Sequence, residues 1–480
     1  MNEPQTPTVQ LSFRPSRLVS CSLAGILVSL GALAQEWPQF RGQGARGVDD
    51  STPLPVRWDS ESGEGILWRT AIPGLGHSSP VIWGDKVFLT TAVSEKDDAG
   101  IRTGLYGDID PVKDDSSHRF VVYCLDRNTG EVRWQKTAVE TVPQVKRHLK
   151  STHANPTVAT DGKHLVAFFG SEGLYVYDLN GNLLWKKNLG LLDSGFFLVP
   201  SAQWGFGSSP VLEAGRIIVQ ADVQKGSFLA ALDVKDGKEL WRTSRDEVPT
   251  WSTPTVHDDG RRKQVIVNGF RHIGGYDFNT GAELWRMAGT GDIPTPTPFV
   301  VDDLIYLTSS HGGGSPIYVI PTNASGTLEP EQLAWSRERG GSYLPTTIVY
   351  DGLYYVGRDN GVLGVYDAKS GKRHYEARVG GGSYSFVASP VAGDGKLYYS
   401  SEDGVIFVLA AGKELNILAE NDIGGRILAS PAIADGTLYL RTLNELVAVR
   451  GAAAPPPAAG EEGDEETGEG ETDSAESETK

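Results

Sequence analysis

The feature that most constrains this chain is a unit that recurs eight times. Each copy begins with a Ser-Pro or similar step, then runs through an apolar strand, a tight turn often written Asp-Gly, a second strand, an apolar residue followed by Asp, a Gly and a Trp. The anchoring prolines are Pro80, Pro156, Pro210, Pro254, Pro298, Pro345, Pro390 and Pro431, with successive spacings of 76, 54, 44, 44, 47, 45 and 41 residues. A repeat of this length holds about four short strands and cannot bury its own faces, so neighbouring copies must stack. The pattern predicts an all-β, eight-bladed β-propeller, with insertions in the first two units. The 58 glycines and 27 prolines, spread along the chain, fit many turns between short strands.

The second half of the unit is regular. Asp126, Asp178, Asp233 and Asp277 are followed by Gly130, Gly181, Gly237 and Gly281, and each Gly by a Trp four residues later: Trp134, Trp185, Trp241 and Trp285. The Gly suits the positive φ of a hairpin, and the Trp gives the outer strand apolar surface to bury between blades. Five equivalent aspartates, counting Asp367, argue for turns capped by side-chain oxygens and against acid catalysis. Later units decay, with Tyr375 and Asn416 at the Trp position and an irregular fifth unit between Ser309 and Glu338. The eighth unit stops without a fourth strand, while Ile66-Leu67-Trp68-Arg69 carries a fourth-strand signature with no strands before it. The N-terminal strand is therefore expected to complete the last blade and shut the ring.

The organisation read from the sequence is residues 1–34 as a signal peptide, 35–64 as an N-terminal extension, 65–451 as the propeller and 452–480 as a disordered acidic tail. Arg14 and Arg17 precede an apolar run that ends in Ala32-Leu33-Ala34, a small-residue cleavage pattern, so a periplasmic or secreted location without a transmembrane span after cleavage is expected. The formal charge is −17, and the last twenty residues, with eight Glu, two Asp and one Lys, carry more than half of it. The body is only mildly acidic, which argues against nucleic acid as a partner. Cys124 is the single cysteine after cleavage, so no internal disulfide forms, and its apolar run points to a buried, inert thiol. No heptads or exposed edge require assembly, so a monomer is expected.

The repeat resembles the pyrroloquinoline-quinone-like repeat. Together with Trp37-Pro38-Gln39-Phe40-Arg41-Gly42 and Gly76-His77-Ser78-Ser79-Pro80-Val81, it is similar to a family of exported bacterial propellers of the quinoprotein-alcohol-dehydrogenase-like superfamily, many of them likened to the outer-membrane assembly factor BamB. That resemblance covers nearly the whole mature chain and implies the fold. Kinship to quinoprotein dehydrogenases would imply a tricarboxylate quinone stacked on a Trp, a calcium held by carboxylate and amide oxygens, a catalytic Asp and commonly a disulfide of adjacent cysteines. The chain has no Cys-Cys pair and no Cys-x-x-Cys-His haem site.

In a propeller the loops before each first strand and between second and third strands share one face. Here that face is expected to gather His77, His153, Trp204, Phe206 and Trp251 from the first set and Arg271, His272, His311, Arg358, Asp359, Glu402 and Arg441 from the second. Such a rim suits a peptide, a sugar or an anionic small molecule, against the plain alternative of solvated polar loops. His77, His153, His272 and His311 come from different blades without metal-ligand spacing, so no metal site is assigned. The carboxylates Asp97, Asp98, Asp108, Asp110, Asp114 and Asp115 lack the Gly and Glu of a calcium loop. The glycines of 42–47 fit a dinucleotide fingerprint in spacing alone, with no strand before them or helix after. The function expected is a non-catalytic exported scaffold that presents the loop face to a protein or peptide, in cell-envelope assembly or elsewhere, with no cofactor. The alternatives are a quinone- and calcium-dependent dehydrogenase and a carbohydrate- or small-ligand-binding propeller.

Overall fold

In a computed structural model, which describes residues 1, 36–96, 100–104 and 110–451, the chain forms eight sheets, seven antiparallel ones of four strands and one of five. The signal segment and the acidic tail lie outside the described residues. No α-helix occurs among the described residues, which hold only short 3₁₀ turns beside the strands. Blade one, Val81–Trp83, Lys86–Ser94, His118–Asp126 and Val132–Thr141, sets the pattern of consecutive hairpins. Several turns between first and second strands are Asp-Gly pairs with both residues at positive φ, as in Asp351 (49°) and Gly352 (70°), the geometry that matches strand twist.

The Gly and Trp of each unit serve the interface between blades. Trp68, Trp134, Trp185, Trp241 and Trp335 each donate Nε1–H to the carbonyl of the residue after a turn Asp in a neighbouring blade: Arg127, Leu179, Val234, Phe278 and Ala368. Their rings lie on the hairpin glycines of that blade. A Cβ at Gly130 would fall 2.5 Å from Trp68, and one at Gly281 2.4 Å from Trp241. These positions thus require glycine twice over, for positive φ and for close approach. The turn aspartates cap local amides, as Asp126 Oδ1 does for Asn128 and Thr129. Cys124 is fully buried, and burial pushes its thiol up to about 12.

Blade five departs from the rule. Its fourth strand is only Trp335–Arg337, and the insertion before it lends Gly326–Thr327 as a parallel fifth strand to blade four, beside Glu283–Ala288. Trp285, facing this irregular blade, turns back onto its own sheet and donates to Gln264.

The ring closes as the sequence implies. Ile66–Ala71 pairs antiparallel with Glu445–Val449, the last strand of blade eight. Arg127 of blade one reaches Tyr439 and Asp435 of blade eight. The extension before this strand is packed against the propeller: Trp37 bridges Ile82, Thr160 donates to Pro38, Arg46 donates to Val300, and Asp49 donates to Ala392. It thereby touches first strands of blades one, two, five and seven near their turn ends, and crosses the face opposite the loops.

A second device joins the blades at the axis. The amides of Ser79, Thr157, Ser209, Thr253, Thr297, Thr346 and Ser389 each donate to the hydroxyl of the equivalent residue in the next blade, ending at Ser430, over 2.9–3.3 Å. This ring corrects the repeat register. In units two and six the equivalent residue is Thr157 or Thr346, which follows its proline, because the shared requirement is a hydroxyl acceptor and not the proline. Ser79 Oγ has no partner, so the chain of links is open between blades eight and one. Thr157→Val keeps shape but strands the buried Ser79 amide. It is expected to cost about 1–3 kcal/mol, read as a lower urea midpoint at unchanged slope.

Candidate functional site

The hydroxyl ring lines a cavity of about 560 Å³ on the propeller axis. Loops of different blades build its wall. The long connector between blades two and three contributes Phe196, Leu198 and Trp204. First-strand loops give Trp251, Asp292, Ile293 and Tyr343, and a turn of blade five gives His311. Phe196 stacks face to face on Trp204 at 4.9 Å, and Trp204 meets Trp251 at 5.4 Å. His311 stacks on Tyr343 at 5.3 Å and touches Phe196 edge-on. Its Nδ1 lies 2.6 Å from Asp292 Oδ1. Trp204 Nε1 is a buried donor with no acceptor among the described residues.

The wall continues into the connector between blades one and two, with His148, which meets Trp204 edge-on at 5.8 Å, and Lys150, Ser151 and Asn155, together with His77 and Phe40. Asn155 holds this connector by accepting from Thr152 and donating to Ser151 and to Phe206 O. Lys150 Nζ pairs with Glu402 Oε1 at 2.5 Å, and Lys150 O contacts His77 Nε2 at 2.8 Å. Burial raises the carboxyl of Asp359, against the pull of Lys150 and with the push of Glu402. Phe40 brings the N-terminal extension to the axis, so the chain itself occupies the end away from the loops.

Of the residues expected on the loop face, the cavity brings together His77, Trp204, Trp251 and His311. The others are placed elsewhere. Phe206 packs on Phe168 inside the sheet core. His153 lies against His118 and Phe120 beneath the connector. Glu402 is buried behind Lys150. Arg271 and Arg358 pair with Asp246 and Glu376. His272 accepts at its carbonyl from Arg245 and donates its amide to Glu247. Arg441 is 1% exposed and donates from Nη1 to Ser78 O and Thr90 O, between blades eight and one. Asp292, Phe196 and Tyr343 escaped the sequence reading. Asp292 and Tyr343 had a usable signal, since they occupy the same first-strand loops as Trp251.

Two half-buried imidazoles give a pH signature. Burial, with Arg441 and Arg147 nearby, lowers His77 to about 4, and burial with His118 and Arg147 lowers His153 to about 3. Both values sit below the usual value near 6.5, so the unfolded chain binds more protons in that interval. Their contribution is complete above about pH 6.5 and is lost as pH falls toward the folded values. Melting temperature is expected to drop with acidification, and His153→Gln to flatten the drop by at most about 1.4 kcal/mol per pH unit.

Among the described residues no three His, Cys, Asp or Glu side chains gather to hold a metal, the one cysteine is Cys124 inside a sheet, and Trp204 carries Phe196 on one face.

The family profile described as outer membrane protein assembly factor BamB matches residues 48–191, 118–260 and 225–452. Among solved structures, BamB from Moraxella catarrhalis aligns at 15% identity over 80% of this chain and 96% of that one, with a TM-score of 0.54. A europium-containing methanol dehydrogenase aligns at 12% identity over 86% and 90%, TM-score 0.59. The quinohemoprotein alcohol dehydrogenase of Comamonas testosteroni gives 12%, 90% and 83%, also at 0.59. These likenesses concern the fold. Among curated proteins, the tetrathionate hydrolase of Acidithiobacillus ferrooxidans is 24% identical over 275 residues, 51% of this chain and 52% of that protein. The chain spans about half the length of that relative.

Proposed function

The chain belongs to the family of pyrroloquinoline-quinone-like-repeat propellers profiled as the outer membrane protein assembly factor BamB, and from that premise we propose that it is an exported, non-catalytic binding propeller that receives a segment of a partner polypeptide in its axial cavity. The observation that carries this reading is the wall formed by Phe196, Trp204, Trp251 and Tyr343 beside a buried Trp204 donor without an acceptor. Aromatic walls supply apolar contact, and a stranded indole N–H is complementary to a backbone carbonyl. An extended segment offers both every few residues. A dehydrogenase reading lacks the adjacent cysteine pair common in that group. Among the described residues no helix is long and apolar enough to cross a membrane.

The test is a phage- or array-displayed library of unstructured peptides screened against the full chain, with Trp204→Ala as the control. Selection of a peptide set whose binding falls at least tenfold in the variant supports the reading. Peptides that bind both proteins equally, or none at all, overturn it.

A further inference from the structure

The geometry points to a cationic side chain, guanidinium or ammonium, as the anchor that this cavity selects in the incoming segment, with Asp292 as its counter-ion. The inference rests on the peptide-binding reading and deepens it.

Asp292 is a carboxylate only 8% exposed, placed in an aromatic wall. One oxygen is taken by His311 Nδ1 at 2.6 Å, and the other accepts no hydrogen bond from any described residue. The surroundings keep this second oxygen bare. A Cβ at Gly312 would lie 2.5 Å from Oδ2, and Gly312 itself sits at φ +68°, so no side chain can stand there without displacement. His311 is held beside it in a backbone conformation rare for a residue with a Cβ, at φ +95°, with its ring fixed on Tyr343. Such strain persists only where the surroundings impose it.

The charge lining the cavity is unequal. Lys150, which also lines the cavity, is matched by Glu402, whose side chain is 2% exposed. Asp292 has an imidazole as its partner and no ion pair with Lys or Arg among the described residues. A buried carboxylate beside aromatic faces is complementary to an organic cation, through a charge-assisted hydrogen bond and cation–π attraction together. Trp204 Nε1 would then take the carbonyl of the same residue or its neighbour.

The experiment uses the full chain, intrinsic tryptophan fluorescence and calorimetry, with acetyl-Gly-Gly-X-Gly-Gly-amide peptides in which X is arginine, citrulline, lysine, norleucine or glutamate. Arginine and lysine peptides are expected to bind at least tenfold more tightly than their neutral isosteres, with glutamate weakest, and Asp292→Asn is expected to abolish the preference. The arginine–citrulline comparison on the unmodified protein decides the matter even if that variant fails to fold. Equal binding of all five overturns cation selection and leaves the peptide-binding reading standing. Absence of binding by every peptide in this set, with a library screen that also finds none, overturns both.

Discussion

Removal of residues 66–71 is expected to abolish the cooperative unfolding of the propeller, and Trp68→Ala alone to cost about 3–5 kcal/mol. The strand carries no sheet of its own. It exists to pair Glu445–Val449, where Leu446, Val447, Ala448 and Val449 are fully buried. Without it these residues form an unprotected apolar edge, a template for pairing with other molecules. Trp68 adds the cross-blade part, because its ring lies on Gly130 and its Nε1–H donates to Arg127 O over 2.9 Å. Truncation removes that ring and strands a carbonyl at the join. Urea unfolding with size-exclusion chromatography checks both variants. A deletion protein that stays monomeric and unfolds like the parent would disprove closure as the source of stability.

Arg441→Ala is expected to be nearly as damaging, at about 3–5 kcal/mol. The seven hydroxyl links that join the blades around the axis are missing between blades eight and one, where Ser79 Oγ is unpartnered. Arg441 stands at that join and donates to Ser78 O at 2.9 Å and Thr90 O at 2.7 Å. Its guanidinium is enclosed without a carboxylate, and burial pulls it down to about 9. The two carbonyls face this guanidinium at the join. Alanine leaves them stranded beside a void. Arg441→Lys is expected to recover part of the loss, since both bonds leave from Nη1 alone and an ammonium on a shorter side chain keeps the charge and the donors without the full reach. Denaturant midpoints rank the three proteins, and hydrogen exchange at the blade-one amides locates the damage. Equal stability of the alanine variant would show that water replaces the clamp.

Local patterns made much of this architecture legible. Strand alternation, Asp-Gly turns and the Gly-to-Trp spacing depend on residues within one hairpin. The closure was readable because one terminal unit lacked a strand that the other terminus possessed. Where the local rule failed, structure followed the failure: the irregular fifth unit gives a short last strand and turns Trp285 inward. The hydroxyl ring was half visible, since a Ser or Thr neighbours every anchoring proline, but its register in units two and six emerges only from the cross-blade bonds.

The site was far less legible. Trp204 and Phe206 are two residues apart, yet one faces the axis and the other packs on Phe168. Arg441 ends a strand and turns into the seam instead of the rim. The sequence by itself determined a closed ring of eight blades, because each hairpin encodes its own turn and pleat and most encode an outer Trp. Only the tertiary structure decided what meets on the axis: side chains dozens of residues apart converge there, and no local periodicity records how a loop of one blade is aimed against a loop of another.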